Sequence, residues 1–265
     1  MDRLKARFAC KLFVDLCREE FVGFLKLLKD KIIDQGVWVS ITTLATVYLM
    51  GKQFAVTPGF GLFTIVGCIA AIGLFEIYAQ VFSMVGDYIG DRRIAYFVTL
   101  PTKSWVIFVK QIVCMALKGM SISFAIIPLA KLLLWNEFCL TNVSWLTFLL
   151  IFIWGNLFVA AFALFFSAIL ESYVKMGMFW NRLIFPLWLM SGWQFSWATM
   201  HGLNPWLAYA MLLNPLTYIM EGTRAAMIGQ SGYLNVWLCL GALIFFTFFF
   251  TVIAIYKIKQ RLNLV

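Results

Sequence analysis

Six stretches of the chain are apolar over the length of a bilayer, which leaves little room for any fold but a bundle of membrane-crossing helices. They cover residues 36–56, 60–86, 104–134, 144–170, 176–193 and 233–256. A helix needs about 20 mostly apolar residues to cross the hydrocarbon. In lipid every backbone N–H and C=O has to be satisfied within the protein, so such segments cross as helices. Of the 265 residues, 63% are hydrophobic and 12% are charged, against roughly 25% charged in an average globular domain. No polar stretch is long enough for a soluble domain; the longest is the N-terminal 34 residues. The expected fold is therefore an all-α polytopic membrane protein. It divides into an N-terminal cytoplasmic amphipathic helix over 1–34 and a transmembrane domain over 35–265.

The N-terminal segment is too charged to span. Phe8, Leu12, Leu16, Phe24, Leu28 and Ile32 recur at fourfold spacing, while Lys11, Asp15, Arg18, Glu19, Lys26, Lys29 and Asp30 take the other side. That pattern predicts a helix lying in the membrane interface; a surface helix packed on its own protein satisfies it equally well. The net charge of +9 is split among short loops, which excludes a nucleic-acid surface and fits membrane topology. Arg92, Arg93 and Lys103, then Lys175 and Arg182, then Lys257, Lys259 and Arg261 fall on the same side as the basic N-terminus. Basic residues gather on the cytoplasmic side, so both termini are expected there. The six cysteines are scattered without a CxxC and read as small buried hydrophobes.

Three segments stand out for chemistry. The cytoplasmic loop 86–105 places Asp87, Asp91, Arg92 and Arg93 before the apolar strip Ile94, Tyr96, Phe97 and Leu100. A short helix there offers charge and aromatic surface to a soluble partner. Glu76 and Lys118 lie inside predicted spans, where a charge costs at least about 2.5 kcal/mol. They are candidates for an ion-coupling site or for a structural pair across two helices. Region 194–232 holds the only histidine, His201, the breaks Asn204-Pro205 and Asn214-Pro215, and Glu221 with Arg224. An apolar segment broken this way is expected to re-enter the membrane and plug the outer side. Glu221 and Arg224, at i and i+3, share a helix face and are able to pair.

Absences narrow the chemistry. There is no phosphate-cradling GxxxxGK[ST], no GxSxG and no HExxH. An integral membrane enzyme would have to rely on Asp87 and Asp91, the only acidic cluster. If ATP drives this protein, another chain hydrolyses it.

The layout resembles the membrane (permease) subunit of ABC-2 type transporters, of the polysaccharide and drug exporter class. The sharpest match is Asn214-Pro215-Leu216-Thr217-Tyr218 followed by Glu221 and Arg224; the upstream MSGWQFSWATMHGLNP is a loose one. The resemblance implies a subunit in a bacterial cytoplasmic (inner) membrane, paired with a second copy of itself above cytosolic ABC ATPase subunits. No cofactor is expected in this chain, ATP and magnesium belonging to the ATPase. It makes Asp91, Arg92, Arg93, Tyr96, Phe97 and Leu100 the ATPase-coupling element. It makes Asn214, Pro215, Tyr218, Glu221 and Arg224 an external gate on a re-entrant hairpin before the last span. The expected cargo is a glycan, a lipid-linked glycan, or an amphipathic small molecule or lipid. An ion-coupled carrier using Glu76 and Lys118 is the alternative.

Overall fold

The computed structural model describes residues 2–50, 59–90, 92–100, 102–135, 137–138, 141 and 143–262, and among these it contains helices and turns but no strand. Thr57-Pro58, Pro101, Cys139, Asn142 and the stretch 51–56 of the first predicted span lie outside the described residues. Helix α1 (Asp2–Thr43) ends in a π-helical stretch, Leu44–Met50. Then come α2 (Phe60–Ile89), the short α3 (Arg93–Val98), α4 (Ser104–Leu133) and α5 (Trp145–Ile169). Next, α6 (Tyr173–Phe179) runs through a π turn, Trp180–Ile184, into α7 (Phe185–Leu189). Three short helices follow, α8 (Trp197–Leu203), α9 (Pro205–Met211) and α10 (Pro215–Met227), and α11 (Val236–Arg261) closes the chain.

Four of these helices, α2, α4, α5 and α11, are long and apolar enough to cross a membrane. The first predicted span falls on the end of α1 and its π stretch, and runs into residues not described. The fifth, 176–193, is not one long helix. Its helical path from Tyr173 to Leu189 is seventeen residues long and passes through the π turn. At 1.5 Å per residue that is roughly 25 Å, at the short end of the roughly 17–25 residues that a span takes. A turn at Met190–Gly192 ends it, with Gly192 at φ 86°.

Helix α2 is the centre of the bundle, with 72% of its apolar window buried, whereas α11 has only 22% buried and turns Phe245, Phe248, Phe249 and Val252 outward. Lipid offers no hydrophobic drive for helix association, so contact depends on close packing and small residues. The α5–α11 seam is close-packed through phenylalanines: Phe250 meets Phe162 at 5.0 Å and Phe158 at 6.0 Å, both edge to face. Such geometry suits the ring quadrupoles. Where α2, α4 and α5 cross, Gly119 lets Asn156 approach; a Cβ there would lie 2.6 Å from Asn156 Oδ1.

Of the two arrangements open to the N-terminal helix, its contacts meet the one in which it packs on its own protein. It is unbroken through residue 34 and runs beside α4 in the same direction. Cys17 Sγ lies 3.1 Å from Cys114 Sγ, Glu20 pairs with Lys118 at 2.6 Å and also with Lys110, and Gly36 faces Leu129. Lys31 pairs with Glu76 of α2 at 3.0 Å. A helix flat in the interface would cross α4 instead of following it. Two of its charges, Glu20 and Lys31, are neutralised by partners on α4 and α2, so this helix packs along its own protein.

The bundle has two distinct ends. At one, Arg261 donates to Ser167 O and Leu170 O and lies over the Tyr88 ring, close to α3. This is the end where Arg92, Arg93, Lys103, Lys257 and Lys259 collect. At the other, the start of α2, the start of α5 and the start of α11 surround α10, with Ser144 N donating to Ala226 O.

Candidate functional site

All thirteen residues of α10 are buried, Glu221 and Arg224 completely. Each Asn-Pro break proves to be a helix start, with asparagine as cap and proline in the first turn, where its missing N–H costs nothing. Asn204 Oδ1 accepts from Trp206 N and Leu207 N to open α9. Asn214 Oδ1 accepts from Leu216 N to open α10, while its Nδ2 donates to Leu187 O at 2.6 Å. Tyr218 Oη donates to Leu212 O and Thr217 Oγ1 to Met211 O, drawing the preceding turn onto α10.

The two charges do not form the expected i, i+3 ion pair; no salt bridge joins them among the described residues. Each binds backbone instead. Arg224 donates through Nη1 to Gly192 O at 2.5 Å, through Nη2 to Trp193 O at 2.8 Å and through Nε to Phe63 O at 3.4 Å. Its guanidinium also lies 3.5 Å from the centre of the Phe63 ring. The space for it exists because position 67 is glycine: a Cβ there would sit 2.7 Å from Nη2. Glu221 accepts from Trp197 N at 2.9 Å and Leu234 N at 3.0 Å. Side chains three residues apart on this helix therefore reach different neighbours, and together they fasten the 192–197 loop, the first turn of α2 and the approach to α11. A buried charge is tolerable when hydrogen bonds replace its hydration. His201 stands between Trp197 (4.9 Å) and Tyr209 (5.6 Å) as an aromatic packing residue.

At the basic end, the candidate coupling residues form a compact turn, apart from Asp91, which lies outside the described residues. Asp87 is the organiser: its Oδ1 accepts from Arg93 N and its Oδ2 from Ile94 N, both at 2.9 Å, holding the start of α3. Arg92 adopts the left-handed conformation with φ 52°. Ile94 is buried, Phe97 is half-buried with Lys110 Nζ 5.6 Å from its ring centre, and Leu100 N donates to Phe97 O. Tyr96, 64% exposed, projects from the turn.

Glu76 and Lys118 are not brought together. Each has another partner, Lys31 and Glu20 respectively, which answers both charges locally. Sequence reasoning missed these two acids and bases on α1, and Lys110, a third charge within the α4 span. The signal was present: charged positions within spans call for partners, and α1 supplies them for Glu76, Lys110 and Lys118.

An aromatic run follows the long axis. Phe82 and Tyr173 meet at 4.7 Å near the basic end; Tyr78 meets Trp180 at 5.6 Å and Phe75 meets Trp188 at 5.4 Å. Trp38 of α1 joins at Phe75 (4.6 Å), and Trp188 reaches Trp193 at 5.0 Å, whose carbonyl Arg224 holds.

A polytopic helical bundle with compensated intramembrane charges, a capped turn at its basic end and an enclosed helix at the other defines a membrane transport component. The family model of the ABC-2 type transporter matches residues 24–228, and the chain belongs to that family. The match begins within α1 and ends one residue past α10. A comparison with curated proteins finds no match.

Proposed function

We propose that this chain is the permease subunit of an ATP-driven exporter, working as two copies over two cytosolic ATPase subunits. The observation that carries the reading is the capped turn: Asp87 fixes α3 by two backbone hydrogen bonds, and Tyr96 projects from it at the end rich in Lys and Arg. A surface that is rigid, basic and aromatic suits a groove on a soluble partner. By the basic-residue rule this end is cytoplasmic, with both termini. In the same reading the membrane is crossed six times: by the part of α1 that follows α4 and runs on into the π stretch, by α2, α4 and α5, by α6–α7, and by α11. Helices α8–α10 re-enter from outside as the external gate, within the region 194–232. The N-terminal part of α1 braces α4 at the cytoplasmic end. Glu76 and Lys118 each hold a structural partner, which favours this reading over the ion-coupled alternative.

The aromatic run supports a glycan or lipid-linked glycan as cargo, since flat ring faces suit sugar rings without fixing one register. An amphipathic small molecule is the other class that such a surface admits. The test is export from inverted membrane vesicles containing the chain and its co-purifying ATPase. ATP should drive transport, and dissipating the ion gradient should leave it. Reversing charge at both Arg92 and Arg93 to Glu should abolish ATP-dependent export with insertion intact. Normal export by that double variant would remove the turn from the coupling role.

A further inference from the structure

At the end opposite the basic turn, a cavity of about 510 Å³ opens between three segments that α10 holds together. Pockets for small ligands fall in the range of roughly 300–1,000 Å³. Its floor is a row of rings: Phe60 and Phe63 are 5.9 Å apart at 12°, and Phe63 and Tyr233 are 6.4 Å apart at 21°. Around them stand the side chains of Gln194, Thr199 and Ser231, all exposed, all neutral, able to donate and accept hydrogen bonds.

The walls are fixed rather than incidental. Arg224 binds Phe63 O under one wall, and Glu221 binds Trp197 N and Leu234 N beside the other two. The sharpest sequence motif of the chain thus builds this cup from beneath without lining it. Arg224 is wholly buried and lies against Phe63. A guanidinium already seated on that ring opposes a second cation at the cavity, because cation–π attraction is electrostatic. No charged side chain lines the cavity among the described residues, so nothing there answers a phosphate or carboxylate either.

We infer that the cavity binds a neutral sugar ring. Its C–H face lies on the aromatic row, and its hydroxyls pair with the amide and hydroxyl groups of the rim. The inference leans on the permease reading only in placing the cavity on the outer side.

The test uses the full chain in phosphatidylcholine nanodiscs free of glycoside detergent, with saturation-transfer NMR as readout. Probes are neutral oligosaccharides of hexose, N-acetylhexosamine and deoxyhexose, their sulfated analogues, and tetraphenylphosphonium. Ring protons of a neutral sugar should receive saturation. Phe60→Ala and Tyr233→Ala should each weaken binding by about tenfold, the scale of an aromatic contact, and Tyr233→Phe should retain it. Gln194→Ala, at an exposed position, should weaken binding even if the aromatic variants fold poorly. Binding of free oligosaccharide identifies a glycan chain as the source, and binding only of a neutral glycosyl diacylglycerol placed in the disc identifies a lipid-linked sugar. Absence of any neutral-sugar binding, preference for the sulfated or cationic probes, or binding indifferent to all three losses would overturn the assignment. Labelling of Ser231→Cys by an impermeant maleimide in intact cells reports sidedness separately. Labelling only after permeabilisation would refute the outer placement and leave the sugar result to decide the site.

Discussion

Arg224 gathers three carbonyls from two segments, Gly192 and Trp193 from the loop and Phe63 from α2, with an aromatic ring against its plane. Removing it leaves those acceptors to find other donors in a buried place, at about 1–3 kcal/mol for a buried group left unpaired. Lysine keeps the charge but not the planar fork. Both Arg224→Ala and Arg224→Lys should therefore lower the thermal midpoint measured by fluorescence size exclusion, with lysine recovering less than half of the loss. Glu221→Gln should be milder than Glu221→Ala, because an amide oxygen still accepts one of the two N–H groups that the carboxylate now serves. Equal midpoints for Arg224→Lys and the parent chain would mean that the fork is not what holds the loop. At this scale sequence reading found the residues and missed their partners. Spacing alone puts Glu221 and Arg224 on one face, but it says nothing of the loops that reach them first.

Helix α1 shows where local pattern is overridden by packing. Its fourfold apolar spacing gave the helix, and its charges suggested that it lies flat; Lys110, Lys118 and Glu76 supply the compensation that lets it stand beside α4. Two readings of the sequence are decided by these contacts: α1 packs along its own protein, and Glu76 and Lys118 take separate partners. Cys17 and Cys114 provide a direct check, with sulfur atoms 3.1 Å apart. Mild copper–phenanthroline oxidation should link them within one chain and protect both from alkylation; a flat α1 would give no link. Glu20→Gln, which leaves Lys110 and Lys118 without their acid, should lower the cross-linking yield.

For the whole molecule, the four long apolar helices and the broken segment between α5 and α11 were legible from hydropathy and from asparagine–proline breaks. The course of the aromatic run was not, because it joins α1, α2 and α6–α7 through contacts far apart in sequence. Its role is separable from lipid anchoring. Replacing Trp180 and Trp188 together by leucine should preserve membrane insertion and monodispersity while cutting export at least about tenfold, if the run guides cargo. Unchanged export would leave these rings as packing and anchors.

The complete enclosure of α10 bears on how the chain is made. Part of its covering is α11, which follows it in the chain and is therefore made later. Until α11 inserts, Glu221 and Arg224 stand without the finished shelter around them, and Leu234 is not yet positioned to meet the carboxylate. Assembly therefore includes a closing step, in which a helix made later seals a niche already holding its two charges. Chains stopped before residue 236 should present an unfinished, polar flank inside the bilayer, the kind of surface that membrane proteases and insertases recognise.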